Sequence, residues 1–420
     1  MKKLYTKNKS VALVTLASLL DSFVSIISGL LIARWLLPED LGMFNALSIF
    51  TSYIILAQIG IPSGLSRELP FNFGQKKEAY AIKLAGTSKY FMILISFIIL
   101  GICSLLSIYY LIVANYQYAV GVFVIGVTSA QAFYVTKYLK ILYRSDNHFK
   151  QLAKIDFINT FVNLLSVYLV YKYLFYGLCL RTIILAIVDY YFTDKWKPLQ
   201  TKAKFDWEDF KVLSRVGMPI YFVANIYGLW PTFQRTMILS MLGTKGLGIY
   251  ALANIVQGML SVFNNSISSI SFPKMSLAYG QGKSIMQVLK IPAKLVLVSL
   301  GIYSLILVVG WILLPPIVAF FLPNYMAGVE AAQWMFAVAL VSSLGIFANI
   351  YMVIKKNHHR LISYSVGIGV WLLYILLNPV TTINNLVTFS QALLLGMITV
   401  SIVDFCFYFS YWKNENKITV

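Results

Sequence analysis

Charge is what this chain lacks. Only 12% of its 420 residues are Asp, Glu, Lys or Arg, while 59% are hydrophobic. A soluble surface on a chain of this length needs about twice that charged fraction, so a water-soluble globular fold is excluded. Acids are scarcer than bases, 15 against 34, giving a formal net charge of +19. The three cysteines, Cys103, Cys179 and Cys406, lie far apart within apolar runs, which argues against a disulfide framework or a zinc site. His148, His358 and His359 fall in polar connections and read as solvated loop residues rather than metal ligands. Gly282-Lys283-Ser284 ends like a phosphate-binding loop, but Leu277 stands where the first glycine is required and no strand precedes it. With no nucleophile–base grouping either, the chain does not read as an enzyme, and no cofactor is implied.

What the chain has in abundance is apolar runs of about 20 residues, each long enough to cross a ~30 Å hydrocarbon core as a helix. They fall at roughly 11–33, 41–62, 84–107, 113–136, 152–174, 176–193, 214–241, 247–270, 291–314, 331–354, 361–377 and 386–411. The first is too long for a signal-peptide core and is expected to be retained as a signal anchor. None alternates polar and apolar as a barrel strand would, so an all-α integral membrane protein of about twelve transmembrane helices is expected. The basic residues are distributed accordingly. With the N-terminus placed in the cytoplasm, 29 of the 34 Lys and Arg fall on inner connections. Arg34, Lys172, Arg181, Arg235 and Lys245 fall outside. That asymmetry follows the positive-inside rule, predicts both termini in the cytoplasm, and accounts for the net charge without nucleic acid.

The two halves repeat. At an offset of 206 residues, Leu41-Gly42-Met43-Phe44 falls on Leu247-Gly248-Ile249-Tyr250, and Gly74-Gln75-Lys76-Lys77 on Gly280-Gln281-Gly282-Lys283. Six spans per half give both repeats the same orientation, related by an axis along the membrane normal, as in many secondary transporters. The predicted organisation is an N-terminal six-helix bundle (1–193), a cytoplasmic linker with an interfacial helix at Phe205–Phe210 (194–213), and a C-terminal six-helix bundle (214–420). Gly217, Pro219, Gly228 and Pro231 are expected to bend span 7, and Gly60-Ile61-Pro62 to end span 2.

Polar groups inside spans are costly unless they face protein or water. Span 1 carries Thr15, Ser18, Asp21, Ser22, Ser25 and Ser28 on one stripe, and span 7 carries Tyr221, Asn225, Gly228, Thr232 and Arg235. Spans 2 and 8 repeat the pattern, with Gln58 in the first and Asn254, Gln257 and Asn264 in the second. The simplest packing sets the two bundles around a central wet cavity lined by spans 1, 2, 7 and 8. Asp21, near the middle of span 1, costs roughly 2.5–3.5 kcal/mol on insertion scales. It either titrates or binds Na+, coupling transport to an H+ or Na+ gradient, or makes a structural pair. Asp404 reads as structural.

Several segments resemble the polysaccharide-transport branch of the multidrug/oligosaccharidyl-lipid/polysaccharide exporter superfamily. They are Ala33-Arg34-Trp35-Leu36-Leu37-Pro38-Glu39-Asp40-Leu41-Gly42-Met43-Phe44, then Gly217-Met218-Pro219 after Phe205-Asp206-Trp207, and Phe320-Phe321-Leu322-Pro323-Asn324-Tyr325. The resemblance covers essentially the whole chain. It implies a flippase of the cytoplasmic membrane that moves isoprenoid-diphosphate-linked oligosaccharides to the outer leaflet for O-antigen or capsule assembly. Membrane lipids and a polysaccharide polymerase are the implied partners. One departure stands out: Gln234 precedes Arg235 where members often carry an acid.

For such a substrate, arginines offset the diphosphate charge through their forked donors, and Arg235, Arg34 and Arg181 are the candidates. Lys89 and Lys294, at inner span ends, would steer it to the mouth. Asn225, Asn254, Gln257, Asn264 and Gln58 would meet sugar hydroxyls, with Tyr221, Tyr227 or Trp230 as stacking surfaces. The rival reading is a multidrug or cation antiporter of the related efflux branch.

Overall fold

A computed structural model describes residues 20–146, 148–354 and 356–418, apart from the side chains at 223, 224, 226, 227, 269, 270, 273 and 414–418. The start of span 1, with Thr15 and Ser18, and the side chain of Tyr227 lie outside the described residues. The chain is 90% helix, with no strand among the described residues. In chain order the main helices are α1 (20–35), α2 (Pro38–Ile54), α3 (Ile61–Gly74), α4 (Glu78–Ile112), α5 (Tyr116–Tyr134), α6 (Lys140–Ser145) and α7 (Phe149–Lys195). There follow α8 (Trp207–Gly280), α9 (Ile285–Phe321), α10 (Val329–Ser342), α11 (Asn349–Val353), α12 (Asn357–Leu377) and α13 (Val387–Ile418).

Nine helical stretches among the described residues are long and apolar enough to cross a membrane. Two of them contain a single non-helical residue, Leu174 in α7 (φ 48°) and Gly243 in α8 (φ 66°). These are the places where the hydropathy pattern divides spans 5 from 6 and 7 from 8. At Leu174 the chain doubles back, and a side chain on Gly177 would stand 2.0 Å from the Leu169 carbonyl oxygen. Only glycine allows that approach. Through Pro219, Gly228 and Pro231 of span 7, α8 runs on with no non-helical residue. Nor is there a separate interfacial helix at Phe205–Phe210, because Trp207–Phe210 forms the first turn of α8 itself.

The chain divides into two compact units, Met1–Leu36 with Phe44–Thr232, and Leu37–Met43 with Phe233–Val420. In the first, α4 packs along α5, and Leu65, Leu84, Met92, Tyr138, Leu142 and Leu213 are wholly buried. Outward faces remain apolar: Phe97 and Leu105 of α4 are among the most exposed side chains, as a lipid-facing surface requires. In the second unit α13 packs on α12 and α10, and α9 on α10, again with exposed Leu297 and Phe320 on α9.

The duplicated Leu-Gly motif meets itself within the second unit. A side chain on Gly42 would lie 1.8 Å from the Thr244 carbonyl oxygen, and one on Gly248 1.7 Å from that of Pro38. Pro38 and Thr244, like Gly42 and Gly248, are 206 positions apart, so the contact is reciprocal. Each glycine lets the backbone of one Leu-Gly segment touch the backbone beside the other.

Candidate functional site

Inside the first unit, four helical segments turn polar stripes toward one another. On α1 the stripe is Asp21, Ser25 and Ser28, spaced i, i+4, i+7; on the first half of α7 it is Asp156, Asn159 and Asn163, spaced i, i+3, i+7. Asp189, seven residues after Thr182 on the second half of α7, and Gln131 of α5 complete it. Together they line a cavity of ≈ 330 Å³ with Lys140.

Asp189 is the hub. Its carboxylate accepts from Asn159 Nδ2 at 2.7 Å, Gln131 Nε2 at 2.9 Å and Thr193 Oγ1 at 3.4 Å, and lies 3.3 Å from Lys140 Nζ. Residues nine apart on a regular helix emerge on opposite sides, about 180° apart. The wider π-helical turn at Val135–Leu139 takes up part of that angle, so both Gln131 and Lys140 reach one carboxylate.

Asp21 Oδ1 accepts from Thr160 Oγ1 at 3.1 Å, and Asn163 binds Ser25 and Ser28, both at 3.1 Å. The Oδ1 of Asn163 also accepts from the Arg181 guanidinium, whose Nε is buried with no hydrogen-bond partner. Three carboxylates (Asp21, Asp156, Asp189) thus stand with three cations, Lys140 and Arg144, which both act on Asp156, and Arg181 behind Asn163. Asp156 and Asp21 form no direct ion pair among the described residues.

The other predicted residues are distributed between the units. In the first unit Gln58 and Tyr221 are buried, and the Tyr221 hydroxyl donates to the Ile55 carbonyl at 2.9 Å, so its ring is committed to packing. Asn225 donates to the Tyr221 carbonyl one turn back at 2.8 Å, and Lys89 donates to the Thr201 carbonyl at 2.9 Å. Arg34 is exposed at the end of α1. In the second unit Arg235, Asn254, Gln257 and Asn264 are half-buried on α8, and Lys294 is exposed on α9. The Oδ1 of Asn264 is buried without a hydrogen-bond partner.

Gln234, the departure noted beside Arg235, is buried and donates to Tyr250 Oη at 2.6 Å, which lies 3.2 Å from Ser390 Oγ. Asp404 is buried and accepts from Ser363 Oγ at 2.6 Å and Tyr351 Oη at 3.0 Å, the structural role expected of it. Asp156, Asp189, Lys140 and Asn163 were not singled out from the sequence. The two acids carried the same signal as Asp21, a carboxylate within an apolar span.

A polar, partly charged cavity enclosed by apolar, lipid-facing helices belongs to a multi-pass membrane transporter rather than to a structural bundle. Solved structures share this fold. An inward-facing multidrug resistance MATE family transporter of the MOP superfamily aligns at TM-score 0.66 and 14% identity, over 95% of this chain and 96% of that one. An outward-facing one aligns at 0.62 and 15%, over 98% and 97%. A mutant Vibrio cholerae MATE transporter aligns at 0.57 and 14%, over 99% of both chains. None of the curated proteins matches the sequence significantly. Residues 8–278 match the family described as polysaccharide biosynthesis protein, and the chain belongs to that family of MOP-superfamily transporters.

Proposed function

We propose that this protein is a flippase moving isoprenoid-diphosphate-linked oligosaccharide repeat units from the inner to the outer leaflet of the cytoplasmic membrane. Twelve spans with both termini in the cytoplasm work by alternating access, coupled to H+ or Na+. The observation that supports the coupled mechanism is the cavity that gathers three carboxylates, Asp21, Asp156 and Asp189, inside apolar spans. Membership of the polysaccharide biosynthesis family supports the substrate class.

A coupling ion shifts a conformational equilibrium only by its difference in affinity between the two states. A carboxylate tied to Thr160, as Asp21 is, supplies such a difference if α1 and α7 move relative to each other. Arg235, Arg181 and Arg34 are the candidates for the diphosphate. Asn254, Gln257 and the unpartnered Asn264 Oδ1 would take sugar hydroxyls. Lys89 and Lys294 would raise the local concentration of the anionic substrate.

Arg235→Ala is expected to impair translocation of lipid-linked glycan while membrane insertion stays intact; normal surface glycan at native expression levels would remove Arg235 from the site. Asp21→Asn is expected to lower transport at least tenfold and to abolish its dependence on an imposed ion gradient. Gradient dependence surviving that change would exclude Asp21 as the coupling group. A cation antiporter draws on the same acid-rich cavity. The two readings separate on whether the wild-type protein, in vesicles under an ion gradient, moves a lipid-linked oligosaccharide or an organic cation.

A further inference from the structure

We infer that the first turns of α4 and the segment Gln200–Asp206 form a binding site for the headgroup of an anionic phospholipid. The two enclose a cavity of ≈ 400 Å³ lined by Ala79, Ile82, Lys83, Lys202, Lys204 and Asp206, among others. The segment is tied to α4 through its backbone at Thr201 and Lys204 and through the side chains of Phe205 and Asp206. Lys204 N–H donates to the Gly86 carbonyl at 3.4 Å, Thr87 Oγ1 donates to the Lys204 carbonyl at 3.3 Å, and Lys89 Nζ to that of Thr201. Gly86 makes room, since a side chain there would meet the Lys202 carbonyl oxygen at 2.7 Å. This anchoring leaves the lysine side chains at 202 and 204 exposed along the cavity.

The acids beside this cavity are already engaged. Asp206 Oδ1 caps α8 by accepting from the Glu208 and Asp209 N–H groups at 3.0 and 3.2 Å, while Oδ2 lies 2.7 Å from Lys83 Nζ. Asp209, buried, also pairs with Lys83 at 3.3 Å. The Lys83 ammonium beside Asp206 holds its carboxyl below the usual carboxylate range, so this acid stays ionised at neutral pH. Lys83 is thus matched, whereas neither Lys202 nor Lys204 takes part in an ion pair among the described residues. Three lysines against the Asp206 and Asp209 carboxylates leave the site at +1, and the two lysines outside any ion pair offer their ammonium groups to a phosphate-bearing anion.

The surroundings select a lipid rather than a soluble anion. Exposed Tyr90, Phe205 and Trp207 flank the site, with the rings of Tyr90 and Phe205 5.6 Å apart and those of Phe205 and Trp207 6.1 Å apart. Aromatic rings of this kind sit at the level of lipid headgroups. The floor, Ala79 and Ile82, is apolar and continues into the lipid-facing side of α4. An acyl chain can follow it while the phosphate rests between the lysines.

The test titrates the purified full-length protein with phosphatidylglycerol or phosphatidylcholine and counts bound lipid by native mass spectrometry. Each lysine near an anionic headgroup is expected to contribute about fivefold in affinity. The double variant Lys202→Gln/Lys204→Gln should therefore bind the first phosphatidylglycerol roughly 30-fold more weakly, with phosphatidylcholine unaffected. Lys172→Gln should change neither. Equal wild-type affinity for the two lipids, or unchanged phosphatidylglycerol binding in the double variant, would overturn the inference. So would displacement of phosphatidylglycerol by inorganic phosphate, which would indicate a soluble-anion site. Should the double variant not fold, Lys202→Gln alone gives the same reading at about fivefold.

Discussion

Asp189→Leu is expected to destabilise the first unit by about 3 kcal/mol, because breaking an inward-facing ion pair leaves its partner charge uncompensated. The loss is larger than that of one contact. Lys140, with only 19% of its side chain exposed, loses its counterion, and Asn159 and Gln131 each lose an acceptor. Replacing both members of the pair is a different matter, since apolar residues of similar volume often substitute for a buried ion pair at little cost. Lys140→Met/Asp189→Leu should therefore recover more than half of the loss. Thermal melting of the purified protein reads both variants. If the double variant melts no higher than Asp189→Leu, the ion pair is not what Asp189 supplies.

The second large effect is expected at the reciprocal glycine contact. Gly42→Ala and Gly248→Ala each place a methyl carbon less than 2 Å from a backbone carbonyl oxygen. A flexible side chain could swing away, but Thr244 and Pro38 present helix backbone, so α2 and α8 must separate. Overpacking of this kind costs about 1–3 kcal/mol, and an obstacle made of backbone puts these two changes at the upper end. Gly369→Ala is the control. It lies on α12 in the same unit with nothing within 4 Å of the added carbon, so the higher helix propensity of alanine should leave the protein at least as stable. Equal melting temperatures for Gly248→Ala and Gly369→Ala would show that the contact tolerates separation.

Helix content and the division of the long helices were legible beforehand. Apolar length announces a span whatever it packs against, and the reversals at Leu174 and Gly243 fall where the hydropathy pattern parts. Pro219 and Pro231 remove hydrogen-bond donors, and α8 continues through both. Trp207 and Phe210, aromatic residues of the expected linker, stack at 5.4 Å in the first turn of α8.

The site divides in the same way. Periodicity identified the stripe of Asp21, Ser25 and Ser28 on α1, and Asp21 as its costliest member. It did not show that this stripe meets Asn163 and Thr160 of α7, nor that Gln131, Lys140 and Asn159 converge on Asp189. Local chemistry alone made this chain a helical membrane protein, since hydropathy is a property of the chain as written. Which polar faces share a cavity was decided only by tertiary packing. Helical spacing tells which side a residue emerges on, while the partner across the gap depends on how helices distant in the chain are brought together.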